Sequence, residues 1–374
     1  MVLKICKKCV MDNEGNSEIT FNDQGVCNYC FEYEEKYKKR VFTNNQGTKR
    51  LIDILNKIKK SKKKNKYDCV IGVSGGVDST YVALKVIELG LNPLAVHLDN
   101  GWNSELAIHN IQKMLEKLDI DLYTHVIDWN EFKNLQMSFL KCSTPDGEIP
   151  TDHAITSILY QIANKLGIKY IISGNNFISE GIMPKMWAYG HIDWKYISSV
   201  HSKFGSIPIK TFPYASLSKI FWYIVARRIK LISILNYLNY DKNKAMKEIK
   251  EKLDWKYYGG KHYESNYTKF YQGYILPHKF KIDKRKLHLS ALILSNQITR
   301  TKALKELKKP IYPLEDINRD VEYFRKKLNL SIDDFEKILN DKPKNFFDYP
   351  NHYRVIKNLR TVVMYLRTKR LFYN

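Results

Sequence analysis

The residues best suited to chemistry in this sequence fall in two short groups. Ser74-Gly75-Gly76-Val77-Asp78-Ser79 follows the strand-like run Asp68 to Val73 and precedes a segment with Val82, Leu84, Val86 and Ile87 on an apolar face. A glycine pair between a strand and a helix lets backbone N–H groups approach a phosphate closely, and the helix start favours negative charge. The Ser74 and Ser79 hydroxyls add donors. Asp78 would repel a phosphate unless a Mg²⁺ ion lay between them, so its expected role is metal ligation. No G-x-x-x-x-G-K-[ST] pattern occurs, which disfavours kinase-type transfer of a terminal phosphoryl group.

The second group is Cys6, Cys9, Cys27 and Cys30, two C-x-x-C knuckles separated by residues 10–26. Four thiolates at this spacing can close a tetrahedral Zn²⁺ shell, and a closed shell leaves no position for a substrate. The expected role is structural, contributing on the order of 10 kcal/mol to the folding of a small module. Cys69 and Cys142 stand apart, and Cys69 reads as a core thiol within a strand pattern. Paired knuckles of this kind suit metal binding in a reducing compartment, so no disulfide is expected.

Both groups need a frame. Residues 1–45 read as a four-cysteine zinc-ribbon module, and 46–66 as a linker helix with Leu51, Ile54, Leu55 and Ile58 at helical spacing. Residues 67–200 alternate between strand patterns, near 68–73, 94–98, 122–127 and 170–173, and helix patterns near 79–89, 104–118, 130–140 and 153–166. That alternation predicts an α/β domain with a doubly wound parallel sheet, which binds ligands at the carboxyl ends of its strands. Residues 201–374 read as a mostly helical substrate- or partner-binding region, with an aromatic, glycine-containing stretch over 254–280. Helices are expected near 283–295, 301–308, 317–328, 331–340 and 352–368.

Lys and Arg total 62 against 39 Asp and Glu, a formal net charge of +23. The excess suits a polyanion or small anionic substrates. Lysine runs such as 59–64 read as well as compositional bias, so charge chooses between no partners. No run of about 18 apolar residues offers a membrane span, and the start lacks a signal-peptide pattern. A cytoplasmic location without membrane insertion is expected.

The S-G-G-V-D-S run after a strand resembles the PP-loop of the ATP-pyrophosphatase superfamily, of adenine nucleotide alpha hydrolase-like fold, whose members split ATP into AMP and pyrophosphate. The resemblance implies ATP and Mg²⁺ as cofactors beside Zn²⁺, with Ser74, Gly75, Gly76, Val77, Asp78 and Ser79 on the nucleotide. It also implies that the Asp99 region, His97 to Gly101, brackets the adenosine, and that Gly174 and Asn175 lie near the α-phosphate. For Asp99 an ordinary turn cap stands as the alternative.

Across essentially the whole chain the sequence resembles the N-acetyl sugar amidotransferase family. The resemblance rests on Cys-Lys-Lys-Cys-Val-Met-Asp at 6–12, the loop at 74–79, Asp-Trp-Lys-Tyr-Tyr-Gly-Gly-Lys-His-Tyr-Glu at 254–264, Asp-Lys-Arg-Lys-Leu-His-Leu-Ser at 283–290 and Ser-Asn-Gln-Ile-Thr-Arg at 295–300. It implies a part in bacterial surface-polysaccharide (lipopolysaccharide, O-antigen) or flagellin-sugar pathways. The implied reaction turns an acetamido group of a nucleotide-linked sugar into an acetamidino group with ATP and ammonia. Adenylating the amide oxygen supplies AMP as the leaving group. Positive groups would then bind anionic substrate or stabilise the phosphate. Asp78, Lys261, His262, Glu264, Lys284 and Arg285 are the catalytic candidates, with Glu264 orienting ammonia or taking its proton. Lys279, Lys286, His288 and Arg300 are the substrate-binding candidates. A solvated helix start is the alternative for 284–286.

Position 2 is Val, and neither Cys69 nor Cys142 has the flanking glycines of a nucleophile elbow, so the chain lacks the marks of a glutaminase. Ammonia is expected from other proteins. The resemblance suggests a glutaminase and a barrel-shaped ammonia-channel subunit similar to those of histidine biosynthesis. The alternative is a tRNA base-modifying PP-loop adenylase of lysidine- or thiouridine-synthase type, whose substrate the positive charge would fit. The absence of any cysteine after Cys142 counts against thiolation, and nucleic acid is not the expected partner. A third reading is an idle zinc-bearing nucleotide scaffold.

Overall fold

The computed structural model describes residues 2–62, 65–260 and 263–359. The cysteine segment folds through two antiparallel bridges, Ile5 with Asp12 and Phe21 with Cys27. It runs into α1 (Asn28–Arg40), followed by α2 (Asn45–Ser61). The expected linker helix thus lies over most of its range, and Lys63 and Lys64 fall outside the described residues.

The α/β unit follows in strict alternation: β1 (Cys69–Gly72), α3 (Val77–Glu88), β2 (Pro93–Asp99), α4 (Glu105–Leu118) and β3 (Leu122–Val126). After α5 (Trp129–Lys141) and α6 (Ile149–Lys165) come β4 (Tyr170–Ser173), α7 (Phe177–Glu180), α8 (Trp194–Phe204), α9 (Leu217–Val225) and β5 (Lys230–Ser233). All five strands are parallel, in the order β3-β2-β1-β4-β5, with Ile71 registered against Ala95 and Ile172. Local chemistry starts and stops the helices. The Ser104 hydroxyl accepts the Ala107 amide, the Asp128 carboxylate accepts the Glu131 amide, and Asp119 in the left-handed region closes α4.

This order is doubly wound. The chain leaves β1 toward β2 and β3, then returns to β4 on the other side of β1, so the switch point lies between β1 and β4. Right-handed crossovers then put α3 and α4 on one face and α6 on the other. The loops after β1 and β4 diverge at the switch point and open a crevice there.

Two expectations need correction. The α/β unit does not end at residue 200, because β5 pairs with β4 from Tyr170 and Lys230 through to Ser173 and Ser233. Its apolar residues merge with those of α9 in the sequence, so no change of period marks the strand. The 254–280 stretch is also partly helical: α10 (Lys242–Leu253) is followed by α11 (Asn266–Phe270), a π turn at Tyr271–Ile275 and α12 (Leu276–Phe280).

Beyond these lie α13 (Arg285–Leu294), α14 (Arg300–Leu307), α15 (Ile317–Leu328) and α16 (Ile332–Asn340). Residues 353–359 are helical, and the rest of the helix expected over 352–368 lies outside the described residues. The C-terminal region is welded to the sheet. Trp102, just past β2, is fully buried against Trp129, Tyr267 and Phe324, and its indole N–H donates to Gln136 Oε1 at 2.8 Å. Among the described residues, no helix is long and apolar enough to cross a membrane.

Candidate active site and metal centre

The loop after β1 is held from within and from outside. Ser74 Oγ lies 3.2 Å from Ser79 Oγ, and the Ser79 hydroxyl donates to Gly76 O at 3.2 Å. Gly75 sits at φ +76°, and a Cβ there would meet the Ala107 carbonyl at 2.4 Å, so only glycine fits the turn against α4. Outside support comes from Trp255, whose indole N–H donates to Gly75 O at 2.9 Å, and from Asn110 at 3.4 Å. Across the switch point, a Cβ on Gly174 would lie 3.2 Å from the Asp78 backbone, which explains a glycine at that position by close approach of two loops.

The crevice above has a volume of about 960 Å³ and is lined by the loop, the ends of β2 and β4, and the start of α6. Ser74, Gly76, Val77, Asp78, Ser79, Gly174 and Asn175 line it together. Asp99 does not: its carboxylate accepts the Gly101 amide at 3.0 Å and the Asn103 side chain at 3.1 Å, a turn cap. Its neighbours His97, Asn100 and Asn103 line the crevice instead. His97 Nδ1 pairs with Val73 O at 2.9 Å and its Nε2 meets Asn103 Nδ2 at 3.1 Å.

Residues distant in sequence complete the loop's surroundings. The Tyr240 hydroxyl donates to Asp78 Oδ1. Burial, followed by the Asp78 charge, pushes Tyr240 far above the usual phenol range, so it remains the donor. Tyr258 reaches both the Val77 amide and the Glu264 carboxylate, and burial with the Glu264 charge keeps its proton on. A Cβ on Gly76 would lie 3.1 Å from Glu264 Oε1 and 3.3 Å from Tyr258 OH. Glu264 is pinned there because residues 102–104 pair with 264–266: the Ser104 amide donates to Glu264 O and the Asn266 amide to Trp102 O, both at 2.9 Å. The Glu264 carboxylate therefore stands at the mouth of the 74–79 loop.

A second chamber of about 800 Å³ adjoins the crevice, walled by residues 257–260, 263–273, 283–289 and 306–316. Tyr258, Gln272, Lys284 and His288 line both spaces. Lys284 is half-buried at this seam, where its ammonium lies 2.8 Å from Glu148 Oε2, and Gln272 donates to the same oxygen at 2.8 Å. Burial works against its charge, but Glu148 outweighs that and raises Lys284 above its ordinary value.

The other C-terminal cations go elsewhere, which corrects the expectation of one basic cluster. Lys279 is buried against Ser143 Oγ at 2.9 Å and the Ile338 carbonyl, and burial lowers it to about 8. Lys286 pairs with Asp12 at 2.6 Å, and Arg300 donates to Cys6 O and Cys9 O at 2.8 and 2.9 Å. All three lie outside both chambers. Arg285 borders the second chamber but spends its guanidinium on Asp283 and on carbonyls of residues 306–310. His288 presents Nδ1 to Ser179 O at 3.1 Å. Lys261 and His262 lie outside the described residues. Sequence reasoning missed Tyr240, Glu148, Gln272 and Lys242, which line the site or touch its loop and carry no motif signal of their own, and did not single out Tyr258 within the 254–264 run.

The four knuckle cysteines converge. Their sulfurs lie within 4.8 Å of one another, with Cys6–Cys30 and Cys27–Cys30 at 3.7 Å and Cys9–Cys27 at 3.6 Å. A tetrahedron of thiolates at Zn–S distances near 2.3 Å has edges of about 3.8 Å, so the donor set fits zinc. Amides of Lys8, Cys9 and Cys27 point at Cys6 Sγ at 3.3–3.4 Å, as around a thiolate. Cys69 and Cys142 are fully buried, and burial raises both thiols, Cys142 to about 11. Neither is poised as a nucleophile.

Residues 264–361 match the family model described as LPS biosynthesis protein WbpG-like, C-terminal domain. That segment is WbpG-like. It begins at Glu264, beside the 74–79 loop, and supplies much of the second chamber's wall. Among curated proteins none matches the chain. Solved structures show partial likeness. NMN synthetase from Francisella tularensis is 17% identical over 76% of this chain and 97% of that one, with a TM-score of 0.33. NH3-dependent NAD synthetase from Campylobacter jejuni is 20% identical over 55% and 86%, at 0.28. A predicted subunit of tRNA methyltransferase from Methanocaldococcus jannaschii is 15% identical over 49% and 75%, at 0.30. At these scores the likeness assigns nothing to the chain, and the site is read from its own residues.

Proposed function

We propose that this chain is an ATP-dependent synthetase that adenylates the acetamido oxygen of a nucleotide-linked sugar and replaces it with ammonia, giving an acetamidino sugar, AMP and pyrophosphate. One observation carries the reading: a phosphate-loop crevice and a second chamber walled largely by the WbpG-like segment share Tyr258, Lys284 and His288 along one seam. A reaction that joins a nucleotide to a second substrate needs such a junction.

In this reading Ser74 to Ser79 hold the phosphates and Asp78, fixed by Tyr240, holds Mg²⁺. The ion would neutralise charge on the departing pyrophosphate. The amide oxygen attacks the α-phosphorus, forming an O–P bond as the bond to the β-phosphate oxygen breaks. Ammonia then adds to the amide carbon, the C–O bond breaks, and AMP leaves with the electron pair. The product is an amidinium that keeps two of the ammonia's three protons, the third passing to a phosphate oxygen of the departing AMP or to solvent. Glu264 is placed to take a proton from an arriving ammonium ion, and Lys284 to offset charge at the seam. Cys69 and Cys142 are buried, so neither serves as a glutaminase nucleophile in this chain; the ammonia source proposed from the family resemblance is a separate glutaminase with a channel-forming barrel subunit. Zinc at the four cysteines would be structural.

The test is turnover. Purified protein with ATP, Mg²⁺, ammonium and UDP- or CMP-linked diacetamido sugars should release pyrophosphate only with sugar, and the product mass should show oxygen exchanged for NH. Absence of sugar-dependent release across that panel would sink the proposal. Release stimulated by tRNA instead would establish the base-modifying alternative.

A further inference from the structure

Far less of α9 is covered than its composition calls for. Phe221 is 59% exposed, Ile224 48%, Val225 42% and Trp222 39%, while Tyr223 turns inward and stacks on Tyr160 of α6 at 5.6 Å. The next element, β5, is the outermost strand of the sheet and leaves Leu231 47% exposed. The two are tightly joined, since the Arg227 and Ile229 amides donate to Trp222 O and Tyr223 O at 3.0 Å. A contiguous patch of large apolar side chains on a protein surface marks an interaction site.

Charge says what kind of surface it meets. From residue 194 to residue 240 the sequence contains no Asp or Glu, although the chain holds 39, and seven Lys and Arg fall in the same stretch. Lys219 stands at one end of α9, and Arg227, Arg228 and Lys230 at the other. The Lys219 ammonium and the Arg227 guanidinium lie 4.9 and 5.6 Å from the Trp222 ring centre. A second copy docked about a two-fold axis would bring these cations against their own counterparts with no carboxylate in the segment to neutralise them. The exposed side chains between Lys219 and Ile232 also offer donors and no hydrogen-bond acceptor, so the face calls for a partner rich in anionic acceptors. An anionic lipid surface is one. Apolar side chains enter the acyl boundary, Trp sits at headgroup level and cations meet phosphate.

We propose that α9 and its cationic rim seat the protein peripherally on an anionic phospholipid membrane. The crevice and second chamber contain no residue of α9, so docking leaves the reaction site open. The inference stands independently of the reaction proposed above.

Flotation of the full chain with vesicles tests it. Phosphatidylglycerol–phosphatidylethanolamine vesicles should carry the protein, and pure phosphatidylcholine vesicles should not. F221S/I224S keeps every charge and should lower the bound fraction at least tenfold, with unchanged melting and unchanged pyrophosphate release in solution. K219S/R228S should lower it similarly. No flotation overturns the proposal, as does flotation of F221S/I224S equal to wild type, which would mean unspecific attraction of a basic protein. A dimer in sedimentation velocity that F221S/I224S abolishes would assign the face to a second copy instead. Binding of soluble polyglutamate that depends on Phe221 and Ile224 as strongly as flotation does would assign it to an acidic polypeptide.

Discussion

In the glycine loop at 74–79, neighbours in sequence remain neighbours in space, whereas in the 279–300 segment they part. Six residues at 74–79 wrap one point because a strand–turn–helix junction leaves their amides and hydroxyls converging. Over 284–286 the chain enters α13, and each residue of a helix turns by about 100° from the last. Lys284 reaches Glu148 across the seam, Arg285 the carbonyls of residues 306–310, and Lys286 the Asp12 carboxylate. Three adjacent cations serve three different elements. A basic run on a helix is therefore a poor guide to convergence in space, and a glycine junction is a good one.

The comparison can be broken most decisively at the cysteine centre, the other place where spacing alone predicts a site. Cys6→Ser with Cys9→Ser should abolish bound zinc and remove on the order of 10 kcal/mol from the module's folding. Because Arg300 caps Cys6 and Cys9 and Ser290 accepts the Val10 amide, α13 should loosen with it, which hydrogen exchange would show. Retained stability without metal would refute the zinc assignment.

Next comes the contrast between loop and cation run. Asp78→Ala should cut sugar-dependent pyrophosphate release by roughly 10²–10³ while leaving the melting temperature near wild type. Lys286→Met should do the reverse. It strands Asp12, whose side chain is 5% exposed, and should cost about 3 kcal/mol in denaturant unfolding with kcat of the folded protein preserved. Equal effects on activity would return Lys286 to the substrate site and undo the contrast.

A histidine inside α6 tests whether a titratable group near the crevice is structural. His153 Nδ1 pairs with His191 O at 2.5 Å, its Nε2 accepts the Ala215 amide at 3.2 Å, and burial lowers it from 6.5 to about 4. The native ring stays neutral while the unfolded ring takes a proton, so stability is fully present above pH 6.5 and is lost as pH falls toward about 4. The loss is about 3 kcal/mol at most. His153→Gln should remove that part of the acid slope in unfolding curves measured from pH 7 to 4.

The smallest expected effect is also the most specific. Glu264→Gln takes a negative charge from the mouth of the phosphate loop and should tighten ATP binding about tenfold by calorimetry. Its kcat should fall if Glu264 takes the ammonium proton, and that loss should shrink as pH rises toward the ammonium pKa. Unchanged affinity would remove Glu264 from the loop's electrostatics.

Much of the fold was legible because it is local. The strand at Tyr170–Ser173 has the predicted limits, and those of α4 and β2 differ from the prediction by a residue or so, since burial period, the Ser104 cap and glycine turns act over a few residues. Strand β5 was not legible, because an edge strand of four residues with two of its side chains exposed has no period to read. Nor were Tyr240 and Tyr258. Their link to the loop spans more than 160 residues and depends on how α10 and the 254–264 segment pack on α3 and α4.

By itself, the sequence determined the glycine loop at 74–79, the cysteine quartet and the alternating frame that positions them. Each follows from forces acting between residues close along the chain: backbone conformation, capping, thiolate spacing and apolar period. Only the tertiary structure decided which cations face the crevice, that Glu264 stands at the loop, that Asp99 is spent on its own turn and that α9 lies bare beside a sheet edge. Those outcomes depend on which helix face is turned inward, and that choice is made by packing against elements a hundred or more residues away.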